Sequence, residues 1–234
     1  MKKQAKYNGT YKDNFGKTAI IIENDFKNLF TEIDGVKFSG SEFADLIVFD
    51  KTKYTSEQLK RFTFFETPIY NTDIVEKALC NCVFEISIPQ LIIDKTDYSE
   101  FYSDLKVEYS LGNARPKPKG GLEFEEIKLS ITIDEKTYIG TSDLIESAFD
   151  QIRDQFEDKY QFKNCYGCMF GDYSVFGQSG FGTMLCFVSQ KEKYIKVTNK
   201  SEYMELPTEK ICCVQEIYGC DHYEIRTKRA GYRG

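Results

Sequence analysis

Ile127-Lys128-Leu129-Ser130-Ile131-Thr132-Ile133 alternates apolar and polar residues without a break. Alternate side chains of a strand share a face, so the stretch predicts a half-buried strand. Asp134-Glu135-Lys136 then offers a turn into Thr137–Ile139, which predicts a hairpin. Immediately afterwards the period changes. Leu144, Ile145, Ala148, Phe149, Ile152 and Phe156 fall on one helical face, with Arg153, Asp154, Glu157 and Asp158 opposite. Asp143 and Glu146 have the spacing of a capped helix start. The pattern predicts a helix over 143–158, its apolar stripe laid on the sheet and its charged side in water.

Upstream the strand signal dominates. The 234 residues include 19 Phe and 16 Tyr and no Trp, an aromatic load that favours strands over a helical bundle. Residues 7–38 read as paired strands: a turn-rich opening over Gly9–Gly16, a β-branched run at Thr18–Ile22, and Asp34-Gly35 as a tight turn between Leu29–Ile33 and Val36–Phe38. Ser39-Gly40-Ser41-Glu42 resembles a capping box and predicts a short helix or turn ahead of Phe43. Cys80, Cys82, Phe84, Ile86 and Ile88 alternate with Asn81, Val83, Glu85 and Ser87, which places both cysteines on the apolar face in the core, and Pro89 should end the run or mark an edge. Leu105, Val107, Tyr109 and Leu111 form another alternating set. Gly112–Gly121, with Arg115, Lys117 and Lys119, reads as a solvated loop. The expected fold is α+β: a mainly antiparallel β-sheet or sandwich carrying one amphipathic helix, closed by a C-terminal metal-knuckle segment. The chain divides into a β-rich part over 1–158 and a Cys-rich part over 159–234, unless the two are one continuous domain.

The knuckle is Cys165-Tyr166-Gly167-Cys168. Two thiols at this spacing can face one cation across a turn, and Gly167 frees the backbone inside it. A glycine-rich stretch follows (Gly171, Gly177, Gly180, Gly182), then a short strand over Thr183–Val188 that carries Cys186. A closed zinc site takes four ligands. Tyr218-Gly219-Cys220-Asp221 looks like a second turn, so the preferred set is Cys165, Cys168, Cys186 and Cys220 around a structural zinc. Cys212, Cys213 and His222 remain alternatives for the fourth position. Cys212 and Cys213 are adjacent, so at most one of them faces the site. Ordinary buried thiols are the plain alternative; a redox motif lacks its usual strand-then-helix setting. Tyr194–Val197 and Ile211–Ile217 read as further strands.

Charge and composition narrow the function. With 31 Lys and Arg against 37 Asp and Glu, the net charge is −6. Such a chain is not built to hold nucleic acid by neutralising phosphates, although the loop at Arg115–Lys119 and the tail residues Arg226, Lys228, Arg229 and Arg233 form a basic minority that keeps this as a third reading. A basic protein partner is the simpler match. No secretory signal follows the basic start at Met1–Tyr7, and the longest apolar runs are too short to span a bilayer; the expectation is a cytoplasmic protein without a membrane partner. His222 is the single histidine, so a nucleophilic enzyme would run through it; a thiol or metal centre near Cys220 and His222 is the second functional reading. Neither a phosphate loop nor a dinucleotide fingerprint is present. The carboxylates Glu123, Glu125 and Glu126, or Asp154, Glu157 and Asp158, read as solvated faces.

Cys165-x-x-Cys168, Gly171-Asp172-Tyr173-Ser174, Gly182-x-x-x-Cys186-Phe187 and the closing Gly231-Tyr232-Arg233-Gly234, with Gly9-x-Tyr11 and Phe38-x-Gly40 earlier, resemble an uncharacterised bacterial domain family of unknown function. The resemblance implies a bacterial cytoplasmic protein of unassigned activity. Members are similar in size and character to immunity-type proteins of interbacterial toxin systems. That likeness implies a non-enzymatic protein-binding module whose partner is a cognate toxin, and it carries over no catalytic residue.

Overall fold

The computed structural model describes residues 4–68, 74–175 and 180–226. Gly177, the closing Gly231–Gly234 motif and the tail residues Lys228, Arg229 and Arg233 lie outside the described residues. The chain begins with β1 (Ala5–Asp13), β2 (Gly16–Asn24), β3 (Leu29–Ile33), β4 (Val36–Gly40) and β5 (Ile47–Val48). A short helix α1 (Ser56–Leu59) precedes β6 (Phe64–Pro68) and β7 (Val75–Leu79). The long strands β8 (Cys82–Asp94) and β9 (Glu100–Leu111) follow, then β10 (Glu125–Ile133), β11 (Lys136–Ser142) and α2 (Ile145–Gln155). β12 (Tyr160–Phe162) leads into a small three-stranded sheet of β13 (Gly171–Asp172), β14 (Met184–Cys186) and β15 (Cys212–Val214), with α3 (Lys191–Tyr194) and α4 (Lys200–Met204) between the last two.

Every strand pairing among the described residues is antiparallel. The main sheet runs β11-β10-β9-β8-β1-β2-β3-β4-β5-β7-β6, and β12 adds to the free stretch of β8. The α+β class and the antiparallel sheet are therefore as the alternation predicts. The sheet curls on itself: Phe43, in the turn after β4, packs its ring against Phe84 of β8 and Tyr109 of β9. Burial of such aromatic rings contributes on the order of 2 kcal/mol or more each.

Several elements differ from expectation for identifiable reasons. Gly9–Asp13 is strand, because Gly9 lets β1 sit against Glu85 and Ile86 of β8, where any Cβ would collide with backbone. Pro89 does not end β8, which continues to Asp94. β1 leaves the β8 edge at Ile86 and β12 arrives only at Ile92, so a missing N–H on that side breaks no ladder bond. The short helical turn exists at Phe43–Asp45, but its capping box is Glu42 with Asp45, not Ser39 with Glu42. The helix starts at Ile145 with Leu144 at the N-cap and no side-chain cap, so Asp143 does not cap it. It stops near Phe156 because Glu157 and Asp158 take left-handed φ values. Tyr194–Val197 is no strand: Lys191–Tyr194 is helical, and Tyr194 is wholly buried as a packing anchor. Ile211–Ile217 shortens to Cys212–Val214.

α2 covers the edge of the sheet. Its Gln151 side chain accepts from Thr141 N–H at 3.0 Å and donates to Thr141 C=O at 2.9 Å. One turn on, Gln155 does the same for Ile139, at 3.2 and 2.6 Å. Two side-chain amides thus occupy the exposed backbone groups of β11 as a neighbouring strand would, and an otherwise open edge is closed. No helix among the described residues is long and apolar enough to cross a membrane.

Candidate functional site

Three features are candidates: the C-terminal thiols, a buried acidic junction beside them, and a cleft in the first sheet. All eight cysteines are free thiols. Cys80 and Cys82 are buried in the main core, as the alternation implies.

The knuckle loop is held by the chain that returns beside it. Cys165 N–H donates to Tyr218 C=O at 2.7 Å and Tyr166 N–H to Glu216 C=O at 3.0 Å. Met169 N–H donates to Glu224 C=O at 2.7 Å, and Cys168 forms a bridge with Ile225. Arg226, counted in the basic tail, turns inward: its guanidinium donates to Met169 C=O at 3.0 Å and Gly171 C=O at 2.6 Å. Cys186 stands opposite Gly171 on one side and Cys212 on the other. These ties bring the preferred thiols into one neighbourhood. Burial pushes the Cys165 thiol well up, and the nearby Cys186, Cys168 and Cys220 push it further. Burial likewise raises Cys186 to about 11, with Cys212, Cys168 and Cys220 adding to it. Cys220 is raised by burial first, then by Cys168 and others. Yet among the described residues no group of three or more His, Cys, Asp or Glu is arranged to hold a metal ion. The thiols share a region without forming a closed cage.

His222 is exposed, two residues from the half-buried Cys220. A cysteine nucleophile needs its thiol lowered by a base or dipole, and burial does the reverse here. Of the basic loop, Lys117 pairs with Glu66 at 2.8 Å and Arg115 donates to Glu123 C=O at 3.1 Å, so part of its charge is already engaged.

The acidic junction was not legible as a site. Glu42, at the start of the helical turn Phe43–Asp45, accepts Phe181 N–H at 3.1 Å. Glu216, fully buried, accepts Gly182 N–H at 2.8 Å and Tyr173 O–H at 3.3 Å. Burial raises both carboxyls to about 7; Glu42 is raised further by Asp45, Glu125 and Glu216, against the Phe181 N–H that lowers it. Glu125 is raised by burial too, although Tyr109 donates to it. Glu42 clips the glycine-rich loop to the turn after β4, and Glu216 clips it to the segment that follows β15. A reading of isolated Glu residues in a sequence gives no sign of this, because the partners are backbone amides far along the chain.

The cleft lies between β2 and β3. These strands pair only at Glu23–Phe30 and Asn24–Leu29 and then part. They are drawn together again where Thr18 O–H donates to Asp34 at 3.2 Å and Arg61 joins Asp34 to Asp13. The opening between has a volume of about 710 Å³ and is lined by Ile21, Phe30, Phe49, Thr31, Glu23 and Glu32, among others. Ile21 and Phe49 are 50% and 52% exposed. The Thr31 hydroxyl is buried without a hydrogen-bond partner.

The fold and these features define a curled antiparallel β-protein with a cysteine-bearing C-terminal closure. The chain belongs to a family of unknown function, DUF6304, which matches residues 5–171. The match takes in Cys165 and Cys168 and ends before Cys186, Cys212 and Cys220. No curated protein and no solved structure matches the chain.

Proposed function

We propose that this chain is a non-enzymatic protein-binding module of the immunity type, which covers a basic partner such as a cognate bacterial toxin in the cytoplasm. The observation that carries the reading is the β2–β3 cleft. Apolar side chains half exposed around a concavity favour a partner's side chains over water, and burying them contributes roughly 25 cal/mol per Å². The net charge of −6 favours a cationic partner and speeds its encounter. The test is a stable complex isolated from the native host. Ile21→Asp with Phe49→Asp should abolish it while leaving the unfolding midpoint near wild type, since both side chains already meet water. A chain that runs alone from its native extract, or a complex indifferent to these substitutions, overturns the reading.

The same proposal includes a structural zinc held by Cys165, Cys168, Cys186 and Cys220. It is supported by the clustering of these thiols around two turns pinned to each other. Zinc would displace the thiol protons, so its uptake should weaken as pH falls. Its contribution, on the order of 10 kcal/mol, would stabilise a segment with many loops and little core. Elemental analysis should find one zinc per chain, lost in Cys165→Ser along with the order of residues beyond 164. Metal-free protein that keeps its native near-ultraviolet spectrum and binds no added zinc overturns this part alone.

A further inference from the structure

We infer that Cys186 and Cys212 form a thiol–disulfide switch driven by a peroxide. β14 and β15 pair antiparallel with Cys186 directly opposite Cys212. Directly opposed residues of an antiparallel pair stand about 4.5 or 5.5 Å apart at Cα, with both side chains on one face. Either separation lies within the range a disulfide spans. Cys212 is exposed and Cys186 half-buried, so the first is open to an oxidant and the second is placed to resolve it.

Two competing partners are less well placed. Cys213 is adjacent to Cys212 but sits opposite Leu185, on the other face of the strand. Joining Cys212 to Cys213 would break β15. Cys165 is buried, away from a dissolved oxidant.

The Cys212 thiolate attacks hydrogen peroxide; the O–O bond breaks, Cys212 becomes a sulfenic acid, and hydroxide leaves. The Cys186 sulfur then attacks the sulfenic sulfur, the S–O bond breaks and water departs. The two cysteines are oxidised by two electrons in total, and one peroxide is reduced to two waters.

The pair rests on strand register and does not require a metal. One consequence does rest on the zinc reading: Cys186 cannot ligate zinc while joined to Cys212, so oxidation would release the ion.

The test is stoichiometric hydrogen peroxide on the full-length, reduced, chelator-treated protein, followed by alkylation and tandem mass spectrometry. The expected product is a Cys186–Cys212 link, the loss of two hydrogens, and reversal by dithiothreitol. In Cys212→Ser, which alters an exposed side chain, Cys186 should stay alkylatable. A dominant link other than Cys186–Cys212, whether Cys165–Cys168, Cys212–Cys213 or one through Cys220, or a Cys186 that remains alkylated in wild type, overturns the switch. Repeating the oxidation on zinc-loaded protein separates the two ideas. Disulfide formation with no zinc ever bound rejects the metal and keeps the switch; zinc bound and retained through full oxidation of Cys186 rejects Cys186 as a ligand.

Discussion

The protein should become more stable as pH falls from about 8 towards about 4.5, and Glu216→Gln should remove much of that slope. Glu42 and Glu216 each hold their proton to about 7 in the fold, against an ordinary glutamate value of 4.5. Between these values the folded chain binds more protons than the unfolded one, so stability rises with acidity there. It is fully present below about 4.5 and is lost as pH rises through about 7. A displacement of this size corresponds to about 3 kcal/mol for one group. The two effects do not simply add, because Glu216 is among the charges that raise Glu42. Glutamine at 216 keeps an oxygen for Gly182 N–H while removing the charge that burial penalises. The variant should therefore gain stability above pH 7, on the order of 1 to 3 kcal/mol, and lose its advantage in acid. Urea unfolding across this pH range, followed by circular dichroism on metal-free protein, reads both quantities. Wild-type stability that climbs with pH through 7, or a variant with an unchanged slope, would sink the account of the junction.

What was legible in the sequence was what repeats at short range. The β10–β11 hairpin follows from Ile127, Leu129, Ile131 and Ile133 alternating ahead of the expected Asp134–Lys136 turn, which the structure narrows to Asp134 and Glu135, both in left-handed conformations. The apolar face of α2 is buried at Ile145, Ala148, Phe149 and Ile152, as its 3.6-residue period requires. The acidic junction, the edge closure and the cleft were not legible, because each depends on groups brought together by topology. Glu216 meets Gly182, Gln215 pairs its amide with Asn24 at 2.6 Å, and Gln155 finds the backbone of Ile139. In sequence each is an unremarked polar residue. The strand expected at Tyr194–Val197 fails for a related reason: Tyr194 and Val197 are buried by a small aromatic cluster with Phe187 and Tyr203, and short apolar runs do not distinguish a strand from a packed helical turn. Cys186 and Cys212 carry a signal only once the register of β14 and β15 is known.

Gly140→Ala should cost about 3 kcal/mol and open the edge of the sheet. Gly140 lies in β11 between the two residues whose backbone groups Gln151 and Gln155 occupy. A methyl group there would stand 1.9 Å from the carbonyl oxygen of Ala148 and 2.8 Å from its carbon. Those atoms are helix backbone and cannot rotate aside, so α2 as a whole must retreat. Retreat loosens Ala148, Phe149 and Ile152 in the core and draws both glutamines off β11. Overpacking against backbone accounts for most of the loss, and the uncovered edge adds a tendency to pair with a second chain. Gln151→Ala with Gln155→Ala separates the two effects: the helix stays docked on its apolar face, so stability should fall less, while the edge is uncovered just the same. Unfolding midpoints should rank wild type above the double glutamine variant and that above Gly140→Ala, and sedimentation velocity should show concentration-dependent association in both variants but not in wild type. If Gly140→Ala unfolds at the wild-type midpoint, the close seating of α2 on β11 is wrong. If the double glutamine variant stays monomeric at every concentration, the side-chain amides do not guard the edge, and its protection must come from the bulk of the helix alone.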